Sequence, residues 1–188
     1  MEARQSKTDG NRPLIVANVN WLKQALSLIQ QLDDDGYIRS PKGLEPHRVG
    51  SHLRHVLEFY ECFLDGLESS HIDYDARRRD ESIEKSRVKA ADKIRTLIHR
   101  LMEDPAVRMD PIVFVRMEHA EGEPSSDPCM FSSVRRELQV LSIHTIHHFA
   151  LIAVTMRAHG FDVDPIFGMA PSTLRYQAEK LASAAEAA

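Results

Sequence analysis

With 188 residues, of which 43% are apolar, the chain is long enough for one domain with a real core. A formal net charge of -4 leaves no basic footprint for nucleic acid. Two cysteines, Cys62 and Cys129, fit a reducing compartment and exclude a disulfide framework. The polar N-terminus lacks a signal-peptide core, and the apolar run around Phe149 to Val154 is too short to cross a bilayer. A soluble, cytoplasmic protein is expected, with no membrane partner.

Residues 1–12 read as a disordered lead-in. From Pro13 to Leu32, Leu14, Ile15, Val16, Val19, Leu22, Ala25, Leu26 and Ile29 recur at helical spacing. Asp33-Asp34-Asp35-Gly36 stops that helix, and residues 37–46, with Pro41, Gly43 and Pro46, read as a loop. A second helix over 47–67 carries the stripe Val49, Leu53, Val56, Tyr60, Phe63 and Leu67. The basic run Arg77-Arg78-Arg79, flanked by Asp73, Asp75, Asp80 and Glu81, reads as a solvated loop.

A third helix spans 81–102, marked by Ile83, Val88, Ala91, Ile94, Leu97, Ile98 and Leu101 and ended by Asp104-Pro105. Residues 106–132 change character. Ile112-Val113-Phe114-Val115 favours a strand, and Glu121-Gly122-Glu123-Pro124 a turn, giving a small hairpin in a long crossover. A fourth helix runs from Ser132-Ser133, good N-cap residues, to His159-Gly160. A short terminal helix over 173–185 follows. The sequence therefore divides into a lead-in (1–12), an all-α four-helix bundle (13–171) and a terminal helix or tail (172–188).

Chemistry concentrates in Ser142-Ile143-His144-Thr145-Ile146-His147-His148. His144 and His148 are four residues apart, roughly 40° around a helix, so their side chains share one face. That spacing suits two ligands of one metal ion. The face also carries Glu137, Leu141, Leu151, Ile152 and Thr155, which directs both imidazoles toward the interior. Two core histidines bonded to carbonyls or carboxylates is the competing reading. His147 lies on the flank, placed to orient a ligand, to move a proton or simply to pack. A third ligand from His52-Leu53-Arg54-His55 would complete the site, and periodicity mildly prefers His52 because it lies nearer the apolar stripe.

Gly50-Ser51-His52-Leu53-Arg54-His55-Val56-Leu57-Glu58 together with His144-x-x-His147-His148 resembles the DinB / YfiT-like superfamily of metal-binding helical bundles, over roughly residues 14–170. The resemblance implies an up-down-down-up four-helix bundle that dimerises. It also implies a divalent metal, zinc or nickel, held by three histidines. In this chain those are His55, before Val56-Leu57-Glu58, and the pair His144 and His148, with His52 lining the site. Relatives include transferases that use small thiols and a thiol-dependent isomerase. Many members continue Arg-Gly-Gln after the pair, whereas this chain has Phe149-Ala150-Leu151.

Two functions follow. In the first, an open three-histidine metal lowers the pKa of a small thiol or a water and acts on a small-molecule substrate. His147 or Glu137 then accepts the proton, and Arg54 with His52 holds the cofactor. In the second, the metal contributes only folding energy to a stress-response or interaction protein. Cys62 and Cys129, with no histidine beside them in sequence, are ordinary core thiols.

Overall fold

Periodicity becomes helix almost wherever it is strong. The computed structural model describes residues 10–45, 47–117 and 129–186. The chain begins with α1 (Arg12–Gln31), α2 (Asp34–Ile38) and α3 (Val49–Gly66). Then come β1 (His71–Asp73), α4 (Glu81–Lys85), α5 (Arg87–Glu103) and α6 (Pro105–Arg108). β2 (Ile112–Arg116), β3 (Cys129–Ser133), α7 (Val134–Ala158) and α8 (Pro171–Glu186) complete it. Residues 1–9 of the expected lead-in and the expected turn at Glu121-Gly122-Glu123-Pro124 lie outside the described residues.

The fold is mostly helical. α1 packs against α5 and α7, and α3 packs against α5 and α7, so the four long helices share one core. Leu22, Leu53, Tyr60, Phe63, Ile94, Leu97, Leu141 and Phe149 are fully buried there. A polar network crosses this core. Asn18 Nδ2 donates to Leu14 O (2.8 Å) and Leu138 O (3.0 Å), and Tyr60 OH donates to Asn18 Oδ1 (2.8 Å). Tyr60→Phe leaves that buried carbonyl oxygen unpaired and is expected to lower stability by about 1–3 kcal/mol. Urea unfolding of the variant beside wild type checks it.

Four departures from the expected elements have local causes. The Asp run that stops α1 also starts α2, because Asp33 Oδ1 accepts from Gly36 N (2.7 Å) as an N-cap. The third helix divides at Ser86, which is extended and caps α5, leaving Val88 exposed. Beyond α3 an unexpected strand forms. β1 pairs parallel with β2, and β2 pairs antiparallel with β3, with Phe114 opposite both His71 and Phe131. Gly66 permits this, since a Cβ there would sit 2.5 Å from His71 O. Finally, α7 is long and apolar enough, by length and composition, to cross a membrane. Its packing on α1 and α3 and its buried Glu137 are those of a core helix.

Candidate metal centre

α7 buries Val134, Leu138, Leu141, Thr145, Phe149, Ile152 and Met156, a stripe of three- and four-residue steps. His144 and His148 each precede a member of that stripe. They therefore stand at its edge and are half-buried. α3 lies against this edge and brings up His55, also half-buried. One ring nitrogen from each of His55, His144 and His148 lies within 4.8 Å of the others. His55 Nε2 is 3.0 Å from His144 Nε2. Tetrahedral zinc, with bonds of 2.0–2.1 Å, needs ligand nitrogens about 3.3 Å apart, so small side-chain adjustments admit a cation.

The remaining ring nitrogens say how such a site is supported. His148 Nδ1 faces His52 Nδ1 at 3.1 Å, leaving Nε2 for the metal. His52 Nε2 in turn faces His47 Nδ1 at 3.1 Å, and the two rings stack. A neutral imidazole has one donor and one acceptor, and a metal ligand carries its proton on the distal nitrogen. With a metal bound, His148 Nδ1–H would donate to His52, and His52 Nε2–H to His47. His144 Nδ1 is buried with no hydrogen-bond partner. His52→Ala is expected to weaken metal binding about 10–100-fold without abolishing it. Competition with a chromophoric chelator measures this.

Electrostatics favour metal over protons. Burial, reinforced by neighbouring histidines, lowers His144 and His148 to about 3. Burial and then the Arg77 guanidinium lower His55 to about 4, and burial and His47 lower His52 to about 4. At neutral pH these four imidazoles are uncharged, the form in which a histidine binds metal. The donor set, its neutral protonation state and the distal bond of His148 to His52 fit a divalent cation.

An aromatic wall closes one side. Phe59 stacks on His144 with ring centroids 4.0 Å apart, and Tyr74 stacks on Phe59 at 4.9 Å. Tyr74 OH donates to Glu137 Oε2 (2.8 Å), and Ser132 Oγ donates to Glu137 Oε1 (2.5 Å). From Tyr74 the chain runs back along α3 until Asp80 N donates to Glu58 Oε1 (2.7 Å). Arg79 takes a left-handed φ of 53° to make that return. Midway, Arg77 Nε donates to Tyr74 O (3.1 Å), its guanidinium carbon sits 5.3 Å from the Phe59 ring centre, and Nη1 donates to His55 Nδ1.

The expected residues thus fall into separate groups. His55, His144 and His148 come together, with His52 bonded behind His148. His147 is exposed, its ring centre 5.3 Å from that of His148. Glu137, expected to accept a proton, lies two turns below His144 with both oxygens engaged, so it positions the aromatic wall. Arg54, expected to receive an acidic thiol, is tied to Glu84 at 2.7 Å. Cys62 and Cys129 form no disulfide, and burial and Glu61 push the Cys62 thiol up to about 11. Sequence reasoning passed over His47 and Arg77. His47 precedes the helix and has no periodic relation to His52, and Arg77 reaches the site only through the path of its loop.

No family model matches the chain. A stretch of 106 residues, 56% of this chain, is 33% identical to FK506-binding protein 5 of Rhizopus delemar. The chain spans only 27% of the length of that relative.

Proposed function

We propose that this chain is a DinB-like divalent-metal protein, an up-down-down-up four-helix bundle with an inserted sheet, acting as a metal-dependent transferase that uses a small thiol. The observation that carries the reading is the convergence of His55, His144 and His148 from two packed helices, with a hydrogen-bonded imidazole behind one of them. Zinc or nickel suits an all-imidazole set. A cation with three protein ligands keeps an open position and lowers the pKa of a thiol or water placed there. His52 holds the tautomer of His148, Phe59 shields one side, and exposed His147 takes up the released proton. A cytoplasmic homodimer acting on a small molecule completes this reading.

Substituting cobalt(II) and adding 2-mercaptoethanol tests it. A sulfur-to-cobalt charge-transfer band that is absent in His148→Ala is expected. Stoichiometric cobalt without such a band would leave the second reading, a metal that only ties α3 to α7. The engagement of Arg54 by Glu84 favours that second reading, since it removes the cation expected to receive an acidic thiol.

A further inference from the structure

Several cations along α3 are matched to carboxylates. Arg48 and Arg54 pair with Glu84 at 3.3 and 2.7 Å, Arg78 reaches Glu61 and Asp65, and Lys93 binds Glu61. Among the described residues no carboxylate lies within ion-pair distance of Arg77. It is half-buried, laid over Phe59, and spends one terminal nitrogen on an imidazole. A guanidinium removed from water without a counter-charge is costly.

The present contact is one that a metal-bound His55 could not keep. A guanidinium only donates, so His55 Nδ1 accepts and the His55 proton sits on Nε2, aimed at His144 Nε2. A metal ligand needs the reverse arrangement, with a free pair on Nε2 and a proton on Nδ1. In a loaded site two N–H groups would then face one another, and the contact between Arg77 and His55 must open. The Nε bond to Tyr74 O and the Phe59 ring face keep the guanidinium at the centre while its terminal N–H groups are released.

We propose that Arg77 is the anion-binding group of the loaded metal centre, receiving the carboxylate of a small acidic ligand whose other donor atom occupies the open position. The planar pair of N–H groups matches a carboxylate fork in a way that an ammonium cannot. Arg77 thus takes the role that the sequence suggested for Arg54. This inference rests on the metal reading above and narrows its thiol to one bearing a carboxylate.

The test compares mercaptoacetate, 2-mercaptoethanol and acetate as ligands of the cobalt(II)-loaded protein, read by visible and near-ultraviolet absorbance. Arg77→Gln is expected to weaken mercaptoacetate and acetate by about tenfold and to leave 2-mercaptoethanol unchanged, with Arg77→Lys in between. Equal losses for charged and neutral thiols, or no loss for either anion, would overturn the proposal. Far-ultraviolet circular dichroism and cobalt stoichiometry of the two variants separate misfolding from lost recognition. Failure to bind cobalt in wild type would overturn the metal reading and this inference together. Arg77-dependent acetate binding without any thiol band would overturn the thiol reading alone.

Discussion

Replacing His144 with alanine is expected to reduce bound zinc from about one equivalent to below about a tenth, the largest effect available at this centre. Among the described residues the imidazole is one of three that converge, and its Nε2 sits 3.0 Å from the His55 Nε2 it would share a cation with. Linkage provides a second readout. Free metal at about 100 times its dissociation constant stabilises a native-only site by about 2.7 kcal/mol, which the variant should lack. Graded losses place each residue. His144→Ala, His148→Ala and His55→Ala should eliminate binding, His52→Ala should only weaken it, and exposed His99→Ala should change nothing. A His144→Ala protein that retains stoichiometric zinc would remove the centre from consideration.

Acid should destabilise the metal-free protein steeply. In the native state His52 and His55 titrate at about 4 and His144 and His148 at about 3, because burial opposes their charge. In the unfolded chain each returns to about 6.5. Unfolding therefore takes up protons below about pH 6.5, up to about four near pH 5 from these residues. The stability they supply is present above 6.5 and is lost as pH falls toward 4 and then 3. The urea midpoint of metal-free protein should be level from pH 8 to 7 and fall sharply from 6.5 to 4.5. Bound zinc should hold it up further into acid, since protons must displace the cation first. A midpoint that does not move between pH 7 and 4.5 would show these imidazoles to be solvated.

Long amphipathic helices were legible because burial writes a 3.6-residue period into α1, α3, α5 and α7. Short elements write none. β1 has one buried residue in three, α2 depends on an aspartate side chain that reads equally well as a stop, and Ser86 divides α4 from α5 through a cap. The i, i+4 histidine pair was legible for the same reason as the helix beneath it. Choosing between His52 and His55 by periodicity measured the wrong quantity. His52 is the more buried of the two, but His55, at the rim of the core, is the one that converges with His144 and His148, where a metal centre with an open position would form. Arg77 and His47 arrive through loop geometry, set by the Tyr74 and Asp80 anchors and by a stacked ring ahead of α3. No spacing rule reaches them.

X-ray absorption at the zinc edge of reconstituted protein, with metal content measured on the same sample, tests the centre most directly. Three imidazole nitrogens at about 2.0 Å plus one exchangeable oxygen donor, at about one zinc per chain, is the expected result. A sulfur or all-oxygen shell, or no stoichiometric zinc after reconstitution, would contradict a metal held by His55, His144 and His148.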